Sequence, residues 1–265
     1  DAVVRAGQKR GEFVDRAESI RVSDPDPEQR SLLQERFGIR AMEENNALVE
    51  ACDVVVLAVK PQVLREVCRG IGDAVSERKP LVVSIAAGVR IEALERWLGG
   101  KPAIVRTMPN TPSLVGSGAT AMAANAGADE SQRELSESIL RAVGLTLWLD
   151  DEEKMDAVTA LSGSGPAYFF LVMEALEEAG KNLGLPAQTA RLLTLETAFG
   201  AAKMALESED DAAGLRRRVT SPGGTTERAI GVLEQRQLRE AFAQALEAAR
   251  DRSRELAEML GKQDS

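Results

Sequence analysis

The chain has 265 residues, 44% of them hydrophobic and 28% charged, with a formal net charge of −9 and no histidine. That composition excludes a disordered or collagen-like chain, and the missing imidazole excludes Ser-His-Asp and Cys-His nucleophile pairs and every His-ligated metal site. The acidic balance, 42 Asp and Glu against 33 Lys and Arg, argues against a protein that grips phosphate backbones, so nucleic acid is not an expected partner.

At roughly 100 to 200 residues per domain the length predicts two domains. The chain opens at Asp1, without a methionine, in DAVVRAGQKRGE, which has helical spacing. Up to residue 150, short β-branched apolar runs then alternate with polar helical segments. The runs are IRVS at 20–23, VVVLAV at 54–59, LVVSI at 81–85 and AIVRT at 103–107. Short runs that are mostly apolar throughout predict strands of a parallel sheet, buried on both faces by crossover helices. SDPDPEQRSLLQERFG, with an Asp-Pro start and a Gly stop, and QVLREVCRGIGDAVSE are the helices between them, while GATAMAAN and LTLWLD close the sheet. The longest aliphatic run, at 54–59, is far short of the ~20 residues that span a bilayer, and no signal sequence opens the chain, so no membrane is expected. Cys52 and Cys68 lack the spacing of a metal or redox motif and are expected to be packing residues in a reducing, cytoplasmic setting.

After Asp150 no strand-like run remains, and residues 151–265 read as a second, all-helical domain. Pro186 suits the first turn of one helix and Gly184 the end of the one before. Leu238, Phe242, Ala245, Ala249, Leu256 and Leu260 make a stripe whose simplest reading is core packing. AYFFLVM at 167–173 is apolar around its whole circumference, which requires cover from other helices or from a second subunit.

Two sets of residues carry candidate chemistry. In an open α/β sheet, ligands lie at the carboxyl ends of the strands. The turn Ala58, Val59, Lys60, Pro61, the small residues Ala86, Ala87 and Gly88 after Ser84, and the segment Arg106 to Pro112 (RTMPNTP) all fall on that edge. Lys60 reads equally as a phosphate or ribose contact and as a solvated turn residue, and Asn110 offers an amide; together these strand ends suggest a dinucleotide. In the helical half, VTSPGGTTERAIGVL at 219–233 sets Pro-Gly-Gly before two threonines and a helical run. Such a turn is an anion seat of free backbone N–H groups, or else a plain turn with a Thr N-cap. LSGSGPAYFF at 161–170 lacks a P-loop lysine and reads as a site of close helix packing.

VVVLAVKPQ, SIAAGVRIEALE, RTMPNTPSLVGSGATAM, DAVTALSGSGPAYFFLVMEAL, GAAKM and VTSPGGTTERAI stand in the order found in pyrroline-5-carboxylate reductases, and the chain resembles that family from about residue 19 to 260. The resemblance implies a Rossmann-like α/β domain at 1–150 followed by an all-α substrate-binding and dimerisation domain at 151–265. It implies reduction of 1-pyrroline-5-carboxylate to L-proline by hydride from NADPH, or NADH, in a cytoplasmic homodimer or larger ring of dimers. By motif it assigns the cofactor to Ser23, Asn45, Ala58, Val59, Lys60, Pro61, Ile85, Ala86, Ala87, Met108, Pro109 and Asn110. The substrate is assigned to Ser221, Gly223, Gly224, Thr225 and Thr226, with Glu152 and Arg218 nearby and the Thr226 hydroxyl reaching the imine nitrogen. No metal is implied. Asp24, after the second strand of that pattern, either repels a 2′-phosphate or accepts a ribose hydroxyl.

No G-x-G-x-x-A segment precedes the run at 20–23, so the first strand and glycine-rich pyrophosphate loop of the resemblance are missing, and their loss is expected to open the sheet. The start at Asp1 favours omission upstream, the alternative being a non-catalytic dimeric homologue that lost its dinucleotide loop. A β-hydroxyacid dehydrogenase-like enzyme, with Lys181 or Lys203 as its helix lysine, is the remaining alternative.

Overall fold

The computed structural model describes residues 17–261; the helical spacing at the opening of the chain lies outside the described residues. They form two compact units, one of residues up to 164 together with those from 249 on, the other of residues 165–248.

The first unit runs β1 (Arg21–Ser23), α1 (Pro27–Phe37), β2 (Arg40–Met42), α2 (Asn45–Glu50), β3 (Val54–Leu57), α3 (Pro61–Arg78), β4 (Leu81–Ser84), α4 (Ile91–Trp97), β5 (Ile104–Met108), β6 (Gly118–Ala124), α5 (Glu130–Arg141), β7 (Gly144–Trp148) and α6 (Met155–Val158). The signals around α1 act as read: the Asp26 side chain accepts from the Glu28 N–H, Pro27 opens the helix, and Gly38 ends it at φ 66°. β2 is a strand that no apolar run announces; its pairing with β1, not the propensity of Arg-Ala-Met, makes it one.

The strands fall into two sheets among the described residues, β1 with β2, and β3-β4-β5-β6-β7 in that spatial order. β3, β4 and β5 are parallel, but β5 and β6 run antiparallel, which corrects the all-parallel reading. Residues 109–117, which join them, are fewer than the dozen or so that a parallel crossover takes, so the chain turns back. β6 and β7, joined by α5, are parallel again.

Burial on both faces holds where the sheet is central. β4 is buried throughout; Val82 and Ile104 join one core with Leu64, Cys68, Leu94, Trp97 and Met155, while Leu81, Val83 and Val105 join another with Met122 and Leu140. β3, an end strand of its sheet, leaves Val56 48% exposed. Burial pushes the Cys68 thiol up to about 12, so it packs and does not react.

The second unit contains α7 (Gly165–Asn182), α8 (Ala187–Glu207), α9 (Ala212–Arg218), α10 (Thr225–Gln235) and the first part of α11 (Leu238–Gly261). Gly184 ends α7 at φ 94°, and Pro186 is the N-cap of α8 instead of lying in its first turn. A Cβ on Gly180 would stand 3.3 Å from that of Ala190, so α7 and α8 pack closely there.

The shift in composition at Asp150 does not coincide with the boundary between the units. Residues 151–164 contain no strand, yet Met155 is fully buried in the larger core of the first unit. Beside it the buried Asp156 carboxylate accepts from the Ser253 hydroxyl at 2.7 Å, with Arg90 and Arg254 at 3.8 and 3.9 Å. Those contacts draw the end of α11 into the first unit. Core packing accordingly accounts for Leu260 in the α11 stripe, but Leu238 and Phe242 remain exposed.

AYFFLVM stays uncovered in a single chain. Phe169, Phe170 and Leu171 are 68%, 63% and 65% exposed, and Phe199, Leu192 and Leu193 add apolar surface on α8. So much apolar area on one helical unit marks an association surface. Sedimentation equilibrium is expected to return at least twice the chain mass, and Phe170→Glu to shift it toward a single chain; a monomeric parent protein would overturn this. A second expectation concerns Glu137, whose carboxyl is held below the usual range first by the Trp148 indole N–H and then by Arg141 and Thr146, against the opposing effect of desolvation. A depressed carboxyl adds stability above its unfolded pKa of about 4.3, and that stability is lost as pH falls through the folded value. The melting temperatures of the parent and Glu137→Gln should therefore differ most near neutrality and converge below about pH 4.

Candidate functional site

Three parallel strand ends form one edge. The register aligns Leu57 with Ser84 and Ser84 with Arg106, so residues 58–61, 85–88 and 107–110 all emerge at the carboxyl side of the sheet. Pairing continues for one bond past β3, from the Ile85 N–H to the Leu57 carbonyl at 3.2 Å. Ala58 and Lys60 are exposed, Lys60 being the N-cap of α3 without a side-chain cap bond; Ala86 is buried and Gly88 turns at φ 73°. These twelve positions carry one cation, Lys60, and no carboxylate, and their side chains at 85–88 are small or apolar. The edge therefore fits an anionic dinucleotide with a flat ring laid against backbone.

Ser23 and Asn45 meet at the end of the smaller sheet. The Ser23 hydroxyl donates to Asn45 Oδ1 at 2.8 Å and lies 3.0 Å from the Glu43 carbonyl oxygen. Asp24 is engaged locally: its carboxylate accepts from the Asp26 N–H at 2.9 Å, and Arg30 donates to its carbonyl at 2.6 Å.

The segment after β5 is pinned from below. A π-helical turn, Thr159–Gly163, follows α6, an irregularity frequent at functional sites. It brings Ser162 within 3.3 Å of Asn110 Nδ2, through both its carbonyl and its hydroxyl, while Asn110 Oδ1 accepts from the Ala119 N–H at 2.9 Å. Asn110 thus fixes the bend between β5 and β6 and does not offer a free amide. A Cβ on Gly163 would stand 2.4 Å from Met108 Cε, so the glycine leaves the room that Met108 occupies. This is the close packing expected of the SGSG turn, though within a helical turn and not a loop.

Glu152 is placed in the first unit. Its Oε1 accepts from Arg106 Nη1 at 2.7 Å and from the Ile91 N–H at 2.9 Å, so it neutralises a guanidinium that is 3% exposed and caps the start of α4. Arg106 carried a signal in the sequence, a charge inside an apolar run, but its partner lies too far along the chain to be read. Arg218, in the second unit, is paired with Asp210 at 2.7 Å. Lys181 and Lys203 are ion-paired to Glu178 and Glu207 on their own helices.

The glycine turn of the second unit differs from the expected seat in detail. Its helix, α10, begins at Thr225 with Gly224 as N-cap and no side-chain cap bond, so the Thr N-cap is set aside. The Gly224 N–H is taken by the Ser221 carbonyl at 3.0 Å, and the Gly223 N–H by Glu227 Oε2 at 2.7 Å. Two of the donors expected to be free are therefore in use, one because the tight turn closes on its own carbonyl and the other because a carboxylate of the following helix reaches back. The N–H groups of Thr225 and Thr226 and the half-buried Thr226 hydroxyl have no partner among the described residues. Among the described residues no metal-binding cluster exists and no helix is long and apolar enough to cross a membrane.

Residues 152–256 match a family model described as pyrroline-5-carboxylate reductase dimerisation, and residues 1–88 one described as NADP oxidoreductase coenzyme F420-dependent. A pyrroline-5-carboxylate reductase of Pseudomonas aeruginosa is 52% identical, with 93% of this chain and 90% of that protein covered, and one of Pasteurella multocida is 42% identical, with 92% and 90% covered. Among solved structures, a pyrroline-5-carboxylate reductase from Coxiella burnetii aligns with a TM-score of 0.91 at 47% identity, over 97% of this chain and 94% of that one. The Plasmodium falciparum pyrroline carboxylate reductase, solved with NADP bound, aligns with a TM-score of 0.85 at 29% identity, over 97% and 93%.

The buried Arg106 makes Glu152 testable without any ligand. Glu152→Gln leaves an uncompensated guanidinium and is expected to cost about 3 kcal/mol in urea unfolding of the free protein. A loss under about 1 kcal/mol would mean that the pair does not hold the strand end.

Proposed function

The chain belongs to the pyrroline-5-carboxylate reductase family, and from that premise we propose which of its residues carry the reaction. The enzyme is an oxidoreductase acting on a CH–NH bond: it reduces 1-pyrroline-5-carboxylate to L-proline with hydride from NADPH, NADH being compatible, as the final step of proline biosynthesis. It is a homo-oligomer with an N-terminal Rossmann-like domain and a C-terminal helical dimerisation domain.

The observation that carries the residue assignment is the pair of unpartnered N–H groups at Thr225 and Thr226, opening α10 after a glycine turn. Donors at a helix start, aided by the helix dipole, suit the substrate carboxylate. Gly223 and Gly224 let the backbone approach it, and the Ser221 carbonyl shapes the turn. The Thr226 hydroxyl is the catalytic group, donating to the imine nitrogen and stabilising the charge that shifts there as the C=N carbon is reduced. Arg218, held by Asp210, borders the substrate in this reading, and Glu152 acts by holding Arg106 and α4.

The nicotinamide cofactor, when bound, supplies the hydride. Met108, Pro109 and Asn110 border its ring in this reading. Ala58, Val59, Lys60 and Pro61 with Ile85, Ala86 and Ala87 take its middle, and Ser23 and Asn45 its adenosine ribose. The common strand edge and its lack of carboxylates support the residues between Ala58 and Asn110, and the hydrogen bond between Ser23 and Asn45 supports that pair. For function the chain divides near Asp150, with 1–150 serving the cofactor and 151–265 the substrate and dimerisation. The free Cys52 and Cys68 favour the cytoplasm, and the exposed faces of α7 and α8 favour a homodimer that extends to a ring of dimers.

Thr226→Ala is expected to lower kcat/KM for 1-pyrroline-5-carboxylate about 100-fold, the cost typical of losing one preorganised donor, with Thr226→Ser retaining most activity. NADPH oxidation followed by absorbance measures it; full activity in Thr226→Ala would remove the hydroxyl from the mechanism.

A further inference from the structure

At the turn before α10 a carboxylate of the chain already sits on one donor. The Gly223 N–H donates to Glu227 Oε2 at 2.7 Å. In a capping box the third helical residue reaches back to the N-cap N–H; here the N-cap is Gly224, its N–H belongs to Ser221, and Glu227 reaches one residue further. Gly223 stands at φ 72°, a conformation that turns its N–H and that other residues rarely adopt. Glu227 is exposed, and no cation is paired with it among the described residues, so its charge is balanced only by the turn it occupies.

Resting on the reading that this turn receives the substrate carboxylate, we infer that Glu227 is a specificity-determining residue, an internal competitor that holds the Gly223 N–H in the free enzyme and yields it when substrate binds. One N–H donor does not serve two carboxylates at full strength, and two like charges at one turn repel. A ligand therefore displaces Glu227 only when its own carboxylate also takes the Thr225 and Thr226 donors. The competition discriminates against loosely fitting anions and raises the KM of the true substrate.

Glu227→Ala is expected to lower the KM for 1-pyrroline-5-carboxylate about threefold to tenfold, the net worth of one ordinary hydrogen bond, which suits a competitor exposed to solvent. The inhibition constant of L-proline should fall by a similar factor. The KM for 1-pyrroline, which has no carboxylate, should not move, and Glu227→Gln, equal in length but uncharged, should lie between Ala and the parent. An unchanged or raised KM for the carboxylate substrate in both variants, with Thr226→Ala still impaired, overturns the competitor role and leaves the substrate seat standing. A KM raised for both ring compounds in Glu227→Ala, with a lower melting temperature and rescue by Gln, assigns Glu227 to helix capping alone and overturns the inference. Silence of Thr226→Ala as well would remove the seat itself, and with it the competitor.

Discussion

A guanidinium buried in the middle of a central strand has to be neutralised, and much of the first unit follows from how Arg106 meets that demand. Its register partners are Ser84 on β4 and Ala123 on β6, and it is 3% exposed. Breaking such a pair leaves a charge in low dielectric, which costs far more than a surface ion pair gains. Glu152 answers from beyond β7 and with the same oxygen takes the first N–H of α4. The chain after the last strand is thereby tied to the middle of the sheet. From that anchor α6 and the π-helical turn proceed to Asn110 and Met108, so a structural ion pair sets the position of the segment that the cofactor reading needs.

What the sequence made legible is what short-range physics determines. The apolar runs at 54–59, 81–85 and 103–107 announce strands because two-sided burial tolerates few polar residues there, and the Asp-Pro and Gly signals bound α1 because caps act within a few residues. β2 escaped because pairing made it, and the antiparallel β5 and β6 escaped because the pattern of a strand does not carry its direction. At the candidate site the motif order located the turns, but not their internal bonds. That Gly223 donates to Glu227, or Asn110 to Ser162, depends on side-chain rotamers and on segments distant in sequence. The boundary between the units was displaced for the same reason: composition changes at Asp150, while Met155 and Asp156 are held by the core and by Ser253 from the far end of the chain.

The two units manage apolar surface in opposite ways. In the first, two core clusters bury the central strands, and the large apolar side chains left in water, such as Leu32, Leu114, Val115 and Leu161, are scattered over helices, turns and end strands. In the second, Phe169, Phe170, Leu171 and Phe199 remain exposed on neighbouring helices. That exposed surface is in keeping with the dimerisation family that residues 152–256 match.

The absence of histidine, which at first removes most acid-base schemes, is consistent with the reaction once the chemistry of an imine is considered. A C=N carbon accepts hydride when its nitrogen is hydrogen-bonded or protonated, so no nucleophile has to be generated and no poor leaving group expelled. What the proposed site supplies is position and local charge: N–H groups fixed by a glycine turn, a hydroxyl one residue away, and a substrate carboxylate kept in register. Backbone donors do not titrate, and they are fixed by the fold and not by rotamer choice. A site of this kind demands little of the side-chain alphabet and much of turn geometry, which is why Pro-Gly-Gly-Thr-Thr carries more information here than any single reactive residue in the chain.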